Sequence, residues 1–148
     1  MNNISEKRFA LRCAVYVFLI KSNKLLLLRR KNTGWEDGKY GVPSGHLEEN
    51  ESVLSAAARE AKEESGIYVN KEDLKMVHVM HRKVNHDYID IYFVVEKWSG
   101  KPFIAEKEKS DDIQWADINN LPEDTLENIK IAFANYKKNI IYSQFGWD

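Results

Sequence analysis

Cysteine is nearly absent from this sequence. The single cysteine, Cys13, lies in an apolar stretch and has no second thiol with which to form an intramolecular disulfide. Small secreted proteins that depend on disulfides are therefore excluded, and a reducing cytoplasm fits best. The opening residues, MNNISEKRFALRCAV, also lack the basic segment, the apolar core and the small-residue cleavage site of an export signal. We therefore expect a cytoplasmic protein.

Long hydrophobic runs and a dominant sign of charge are missing as well. Arg12, Lys21 and Lys24 interrupt the apolar stretches well short of the roughly 20 residues of a membrane span. The 22 Lys and Arg residues stand against 23 Asp and Glu, a formal net charge of -1. No overall positive field is available to hold a nucleic-acid polymer. We expect a soluble protein that binds neither membranes nor nucleic-acid polymers and holds any polyanionic ligand locally.

The composition allows one folded domain. With 148 residues, of which 43% are hydrophobic, the chain is long enough to bury a core. No linker, internal repeat or low-complexity tract divides it. We therefore predict a single domain over residues 1–148.

Apolar periodicity predicts strands before, between and after two helices. The predicted elements are, in chain order, a central strand at 9–20, a strand at 24–30, a glycine-rich loop at 31–45 with a short strand around 40–42, a helix at 51–65, strands at 74–82, 88–98 and 113–116, and a helix at 126–138. Ser22 and Asn23 predict the turn of a hairpin between the first two strands. Asn50 or Ser52 can cap the first helix, and Gly66 suits the left-handed position after it. This order favours an α/β fold with a mixed sheet covered by helices.

The first predicted helix carries three carboxylates on one face. Glu60 lies three residues before Glu63 and four before Glu64, so all three fall within about one third of the helix circumference. Like charges at this spacing repel one another unless a hard divalent cation turns the repulsion into coordination. Taken alone, an acidic triplet is more often a solvated helix face.

The residues around this triplet resemble the Nudix box. From Gly45 to Ile67 the chain reads GHLEENESVLSAAAREAKEESGI. This stretch matches the box at every specified position: glycine, five residues, glutamate, seven residues, Arg-Glu, an aliphatic residue, one residue, Glu-Glu, one residue, glycine and an aliphatic residue. Ala61 is the smallest residue accepted at its position. The resemblance implies an α/β/α sandwich with the mixed sheet between helices, and a hydrolase that splits a diphosphate linkage in a nucleotide-like substrate.

The resemblance also implies a magnesium site. Glu60, Glu63 and Glu64, with the carbonyl of Gly45, would bind one or more Mg²⁺ ions, or Mn²⁺ in their place. Mg²⁺ prefers oxygen ligands, polarises phosphoryl oxygens and lowers the pKa of a bound water. A glycine at position 45 would let the backbone approach metal and phosphate closely. Arg59 would orient the acidic cluster by pairing with Glu51 or Glu63. The resemblance thus implies catalytic roles for Arg59, Glu63 and Glu64.

The resemblance continues more weakly beyond the box. Trp98-Ser-Gly-Lys-Pro, residues 106–115 and Leu121-Pro122 look like the distal part of a MutT-like Nudix subgroup. In that subgroup an acidic residue on the loop before the last strand can serve as a base or a further metal ligand. Glu106 is the first candidate for this role, followed by Glu108, Asp111 and Asp112. Each of them taken singly is more often a solvated loop charge.

Several residues outside the box could hold the substrate. Arg29, Arg30 and Lys39 flank the glycine-rich loop, where their charges could contact phosphate. Trp35 and Tyr40 could stack on a base, although a loop aromatic is more often a packing plug.

Arg82 and three histidines complete the candidates. Arg82, on the strand after the box helix, could face the substrate cleft, but strand ends often carry exposed arginines. His78, His81 and His86 lack the Cys/His spacing of a zinc site. We interpret these histidines as structural or peripheral.

The leading hypothesis for function is hydrolysis of a nucleoside triphosphate, oxidised ones included, to the monophosphate and pyrophosphate. The alternative keeps the same metal chemistry but takes a nucleoside diphosphate linked to a sugar or another group. The box recognises the diphosphate, whereas loops select base or sugar. A nucleotide sensor without catalysis and a structural adaptor are disfavoured by the complete set of carboxylates. The sequence leaves the oligomeric state open, a homodimer included.

Overall fold

A computed structural model describes residues 7–148. Residues 1–6, which belong to the predicted domain and to the opening without an export signal, lie outside the described residues. Within residues 7–148 the chain forms an eight-stranded mixed sheet, two α-helices and a short 3-10 turn. The elements are β1 (Arg12–Lys21), β2 (Lys24–Arg30), β3 (Tyr40–Gly41), β4 (Ser44–His46), α1 (Val53–Ser65), the 3-10 turn (Lys71–Asp73), β5 (Lys75–Lys83), β6 (Asp87–Val95), β7 (Ser110–Asp117), α2 (Glu127–Lys137) and β8 (Tyr142–Phe145). The predicted α/β fold is confirmed.

Strand β1 lies in the middle of the sheet, whose strands run in the order β3-β2-β1-β6-β5-β8. Along one edge β1 is parallel to β6. Along the other edge it changes partner, because its first half is antiparallel to β4, with Val15 opposite Gly45, and its end is antiparallel to β2. The turn into β2 has positive φ at both Ser22 (52°) and Asn23 (59°), as a two-residue hairpin needs. Strands β2 and β4 therefore part along β1 and leave room between them.

The two faces of β1 belong to two hydrophobic clusters, because alternate residues of a strand point to opposite sides. On one side Tyr16 and Phe18 are buried with Phe133 of α2. On the other side Val15 is buried with Ala57 of α1. The sheet is thus covered by one helix on each face, which gives the sandwich that the sequence predicts. No helix within residues 7–148 combines the length and the apolar character that a membrane crossing needs.

Helix α1 is bounded by the predicted types of cap. The hydroxyl of Ser52 accepts a hydrogen bond from the backbone N–H of Ser55, so Ser52 rather than Asn50 is the N-cap and the helix begins at Val53. Gly66 ends the helix with a left-handed backbone, φ 71°. The acidic face of α1 is therefore fixed in length and phase at both ends.

Several boundaries differ from the prediction. Strand β4 overlaps the end of the predicted loop at 31–45, and β8 follows the last predicted helix; neither was predicted, because strands of three and four residues are too short to show a period. Strand β6 ends at Val95 instead of 98, since the chain turns away there and Ser99 pairs with Tyr68. Strand β1 begins at Arg12 rather than at 9, and β7 is longer than predicted because it pairs along β2.

Candidate active site

A cleft of about 630 Å³ opens where β2 and β4 part from each other along β1. This volume lies in the range of pockets that hold small molecules. Most of the lining comes from strands β1 to β4, from the loop between β2 and β3, from β5 and β6 with the turn between them, and from the segment that leads into β7, and Glu64 of α1 and Leu126 complete it. The lining residues are Ala14, Tyr16, Leu28, Arg30, Asn32, Thr33, Trp35, Gly41, Val42, Ser44, Gly45, His46, Glu64, Arg82, Val84, Asn85, His86, Tyr88, Glu106, Lys109, Ser110 and Leu126.

Arg59 organises the acidic face of α1. Its guanidinium donates two hydrogen bonds to the carboxylate of Glu51, from Nε at 2.7 Å and from Nη2 at 3.0 Å. The remaining nitrogen, Nη1, donates to Glu60 at 2.7 Å and to Glu63 at 3.2 Å. Nη2 also donates to the backbone carbonyl of His46 at 3.2 Å. A planar guanidinium can bridge several acceptors in fixed directions, so Arg59 links β4 to the helix and restrains three glutamates at once.

Strand β4 lies directly against two of the box carboxylates. An ideal Cβ placed on Gly45 would be 2.1 Å from Oε1 of Glu60, a distance that no real side chain can adopt. A side chain at this position would force the Glu60 carboxylate to move, whereas glycine lets the backbone lie against it. One residue earlier, the backbone N–H of Ser44 donates to Oε2 of Glu64 at 3.0 Å. The backbone of β4 and the carboxylates of α1 therefore form one compact group.

Negative charge in this group is poorly compensated. Burial raises the pKa of Glu60, and the charges of Glu63 and Glu106 raise it further, against the lowering effect of Arg59. Burial also raises the pKa of Glu64 well above its usual range, and the charge of Glu60 adds to the effect. A raised pKa means that the ionised form of a carboxyl is held at a cost in its surroundings. The group would consequently gain from a further cation.

A hard divalent cation fits this group by its chemistry. The donors on offer are carboxylate oxygens and the backbone carbonyls of β4, which are the ligands that Mg²⁺ prefers. Within residues 7–148 no three His, Cys, Asp or Glu side chains are grouped as a ready-made metal site. Of the predicted ligands, Glu64 and Gly45 line the cleft, Glu60 is buried, and Glu63 keeps 49% of its side chain exposed beside Arg59. The magnesium ligands therefore stay a prediction.

Glu106 comes to the cleft although it is far from the box in sequence. The backbone N–H groups of Phe103 and Ala105 donate to the carbonyls of Ser65 and Glu64, each at 3.1 Å, and so hold this segment against the end of α1. The side chain of Glu106 is 24% exposed and lies 3.4 Å from Nζ of Lys109. Glu106 lines the same cleft as Glu64, and its charge raises the pKa of both Glu60 and Glu64.

The other three acidic candidates, Glu108 in the loop and Asp111 and Asp112 at the start of β7, do not line the cleft. Glu108 is exposed. Asp111 accepts a hydrogen bond from Nε of Arg29 at 2.7 Å. Asp112 accepts a short hydrogen bond from the hydroxyl of Tyr40. Among the four, the structure brings only Glu106 together with the box carboxylates, and the identity of the base stays a prediction.

A second part of the cleft combines arginines with aromatic rings. The guanidinium carbon of Arg30 lies 5.0 Å from the ring centre of Trp35. The guanidinium carbon of Arg82 lies 5.8 Å from the same ring and 4.1 Å from the ring centre of Tyr88. Arg82 is only 6% exposed and makes two hydrogen bonds to the fully buried Asp90. The charge of Arg82 is therefore used within the protein, and its planar group supports the two aromatic rings.

Three of the predicted substrate residues lie elsewhere. Arg29 pairs with Asp111 and Lys39 pairs with Glu36 at 2.9 Å, and neither cation is part of the cleft lining. Tyr40 is buried and is also outside the lining. Each of the three is engaged by an acidic partner outside the cleft, Arg29 by Asp111, Lys39 by Glu36 and Tyr40 by Asp112.

The sequence did not single out several residues that line the cleft. Asn85 and His86 come from the turn between β5 and β6, Tyr88 comes from the start of β6, and Thr33 comes from the glycine-rich loop. The interpretation of His86 as peripheral is thus corrected, because the turn carries it to the cleft wall. His78 is structural, as expected: it is fully buried, with its two ring nitrogens hydrogen-bonded to Ile140 and Ser143. These residues could be predicted only if the order of the strands in the sheet were known, because that order places the turn between β5 and β6 beside the cleft.

Comparison with known proteins agrees with this geometry. The NUDIX domain family model matches residues 10–136. Over 132 residues the chain is 31% identical to an ADP-ribose pyrophosphatase of Methanocaldococcus jannaschii, an alignment that covers 87% of this chain and 76% of that protein. Nudix hydrolases act on small-molecule nucleotide substrates and generally use divalent metal ions.

Solved structures show the same fold. A MutT Nudix hydrolase from Burkholderia pseudomallei superimposes with a TM-score of 0.78 at 22% identity, covering 85% of this chain and 98% of that one. A MutT protein from Methanosarcina mazei superimposes with a TM-score of 0.76 at 20% identity, covering 86% and 94%. Since the family model spans most of the chain and the box lies intact beside a cleft, the chain belongs to the Nudix hydrolase family.

Proposed function

We propose that this Nudix hydrolase is a Mg²⁺-dependent nucleotide pyrophosphohydrolase that converts a nucleoside triphosphate, oxidised ones included, to the monophosphate and pyrophosphate. The observation that carries the proposal is the pairing of two surfaces in one cleft. One surface holds Glu64 and Glu106 beside Gly45, and the other holds Trp35 beside Arg30. The first suits a cation with its diphosphate, and the second suits a base.

The metal would be held by oxygen ligands from β4 and α1. Glu60, Glu63 and Glu64, together with the carbonyl of Gly45, are the residues proposed to hold Mg²⁺ or Mn²⁺. When bound, the cation would polarise the phosphoryl oxygens and neutralise charge that develops at the diphosphate. The uncompensated charge around Glu60 and Glu64 supports this assignment, because both pKa values are raised by burial and by neighbouring carboxylates.

The chain's own residues would divide the remaining tasks. Arg59 keeps the carboxylates in place through Glu51 and Glu60. Glu106 would accept a proton from the attacking water while that water's oxygen forms a bond to phosphorus and the bridging P–O bond breaks. The electron pair of the broken bond would leave with pyrophosphate. Arg30 is the proposed phosphate contact, because it lines the same cleft as Glu64 and Glu106 and carries a positive charge.

The nucleobase of the substrate would be held at the other end of the cleft. Trp35 is the proposed stacking partner, since its ring lines the cleft and lies against two guanidinium groups. Arg82 is proposed to act by supporting Trp35 and Tyr88 rather than by contacting phosphate, because Asp90 already neutralises it.

A nucleoside diphosphate linked to a sugar is the second candidate substrate. The observation that favours it is the 31% identity to a protein named ADP-ribose pyrophosphatase. One assay panel separates the two candidates: purified protein with Mg²⁺ is incubated with nucleoside triphosphates, oxidised nucleotides and ADP-ribose, and products are identified by chromatography. Pyrophosphate with a monophosphate supports the first candidate, and AMP with ribose 5-phosphate supports the second.

Two variants, assayed with the same panel, test the metal assignment. Glu64→Gln should lose most turnover while keeping its fold, because the amide preserves shape and removes the charge that would hold Mg²⁺. Glu49→Gln, an exposed residue of the same box, serves as the matched control. Hydrolysis at the wild-type rate by Glu64→Gln at saturating Mg²⁺ would refute the metal assignment, and no hydrolysis of any panel member by the wild type would refute the proposed function.

A further inference from the structure

We propose that Asp37 is a positioning residue for nucleobase binding, which acts through Thr33 on the ring of Trp35. The inference rests on the proposed nucleotide substrate and extends it to a residue that does not line the cleft. Asp37 is exposed and outside the cleft, whereas Thr33 and Trp35 are part of the lining.

The loop that carries these residues has an unusual backbone. It connects β2 to β3 and is closed at its base by two hydrogen bonds, from the N–H of Arg30 to the carbonyl of Lys39 at 2.9 Å and from the N–H of Gly38 to the carbonyl of Arg30 at 2.8 Å. Four residues inside it have positive φ: Asn32 at 53°, Gly34 at 80°, Glu36 at 51° and Gly38 at 89°. A non-glycine residue in this region carries strain, so side-chain contacts must hold the loop in shape.

Asp37 supplies those contacts. Its carboxylate accepts the backbone N–H of Thr33 at 3.0 and 3.2 Å, the backbone N–H of Gly34 at 3.1 Å and the hydroxyl of Thr33 at 2.5 Å. Hydrogen bonds to an ionised acceptor are stronger than those to a neutral one. The hydroxyl and then the backbone of Thr33 lower the pKa of Asp37, which agrees with a carboxylate that is stabilised in its charged form.

Thr33 passes this restraint on to Trp35. Its hydroxyl oxygen accepts hydrogen bonds from the backbone N–H of Trp35 at 3.3 Å and from Nη2 of Arg30 at 3.0 Å. Nε of Arg30 in turn donates to the carbonyl of Trp35 at 2.9 Å. Both backbone polar groups of Trp35 are therefore held by a network that ends at Asp37. The ring, which is half-buried, takes its place in the cleft from this network.

The same loop offers a matched control. Glu36 is the neighbour of Asp37, carries the same charge and is likewise exposed, but its carboxylate pairs with Nζ of Lys39 at 2.9 Å instead of contacting Thr33. Replacing either acid by its amide removes one negative charge from the loop. Only the change at Asp37 weakens the network around Trp35.

The test measures binding of two ligands whose P–C–P bridge cannot be hydrolysed. One is the α,β-methylene analogue of the nucleoside triphosphate that the wild type hydrolyses best, or the adenosine analogue if the wild type hydrolyses none. The other is methylenediphosphonate, which has the same P–C–P bridge and no base. Dissociation constants are determined by titration calorimetry with Mg²⁺ for the wild type and for Asp37→Asn, Glu36→Gln, Trp35→Ala and the double variant Asp37→Asn with Trp35→Ala.

We expect Asp37→Asn and Trp35→Ala each to weaken binding of the nucleotide analogue about tenfold, the scale of one lost base stack. Binding of methylenediphosphonate should change less than about twofold, because the base-free ligand does not use Trp35. The double variant should bind the nucleotide analogue no more weakly than Trp35→Ala alone, since Asp37 acts through that ring. Glu36→Gln should resemble the wild type.

Two further variants keep the test meaningful if Asp37→Asn disturbs folding. Thr33→Val removes the hydroxyl and should weaken binding of the nucleotide analogue. Thr33→Ser retains the hydroxyl and should bind the nucleotide analogue as the wild type does. The proposal is overturned if Asp37→Asn and Thr33→Val leave nucleotide binding unchanged, weaken both ligands equally, or act additively with Trp35→Ala. It is also overturned if Glu36→Gln has the same effect or if the wild type binds neither ligand. Binding that depends on Asp37 without hydrolysis of any panel member would refute the proposed function alone.

Discussion

An ideal Cβ on Gly45 would lie 2.1 Å from Oε1 of Glu60, so the glycine and the carboxylate share one small space between β4 and α1. Residue 45 has no positive φ that would by itself require glycine. Glycine is favoured at position 45 because the carboxylate of Glu60 occupies the space that a side chain would need. This relationship links a position at the start of the box to one that lies fifteen residues later on the helix.

Gly45→Ala should therefore displace the carboxylate of Glu60. We expect the free energy of unfolding to fall by less than the about 1–3 kcal/mol of an overpacked core, because the clash is with the flexible end of the Glu60 side chain. The apparent affinity for Mg²⁺ in activity titrations should fall about 10- to 100-fold, as it does when ligand geometry is disturbed. In a Glu60→Ala background the same change should cost little stability, because the clash is gone. Equal destabilisation in both backgrounds would contradict this account.

Arg59→Lys should show that the guanidinium acts as a bridge and not only as a charge. Arg59 contacts Glu51 and Glu60 from three separate nitrogens, whereas lysine carries all its donors on one nitrogen and cannot reproduce this spacing, so the carboxylates lose their common restraint. We expect kcat/KM to fall about tenfold or more, in line with the effect of residues that orient metal ligands. Steady-state kinetics at saturating Mg²⁺ measure the effect. Arg12→Lys, at an exposed position outside the cleft, should leave kcat/KM unchanged, and a similar value for both variants would count against the bridging role.

Binding of Mg²⁺ should stabilise the fold. Since the pKa values of Glu60 and Glu64 are raised by burial and by mutual repulsion, a cation at this group favours the folded state. At a concentration of 100 times the dissociation constant, ligand linkage predicts a gain of about 2.7 kcal/mol in the free energy of unfolding. The melting temperature should rise with Mg²⁺ or Mn²⁺ in the wild type and in Glu49→Gln, and much less in Glu64→Gln. A melting temperature that does not change with either ion would refute the metal site.

The local part of the site could be predicted from the sequence because it is encoded in one continuous stretch. The phase of α1 places Glu60, Glu63 and Glu64 on one face by helix geometry alone, and Ser52 and Gly66 mark its ends. The alternating faces of β1 and the hairpin to β2 followed from side-chain period and turn residues in the same way. These features depend on neighbours within a few residues.

The remaining part depends on contacts between distant strands. Arg82 reaches Asp90 only because β5 and β6 pair in a register that puts Arg82 opposite Tyr88, and a sequence does not reveal the register of a sheet. Arg29 and Arg30 look alike in sequence, but the strand sends one toward Asp111 and the other toward the cleft. For Trp35 the sequence favours a packing role, because a loop aromatic is more often a packing plug, whereas in the structure the loop around Thr33 holds it at the cleft.

The identity of the general base is the most direct test of whether the segment around Glu106, which is distant from the box in sequence, takes part in catalysis. Glu106 lines the cleft beside the box carboxylates, whereas Glu108 is exposed and Asp111 and Asp112 are engaged with Arg29 and Tyr40 outside it. Glu106→Gln should reduce kcat by about 10²–10⁴, the usual loss for a general base, with a smaller change in KM. The corresponding amide variants of the other three acids should be milder. If Glu106 were a metal ligand instead, raising Mg²⁺ would restore the rate of Glu106→Gln, whereas loss of a base cannot be rescued in this way. A near-normal kcat in Glu106→Gln combined with a collapse in one of the other three would move the base to that residue, and four near-normal variants would place it outside this loop.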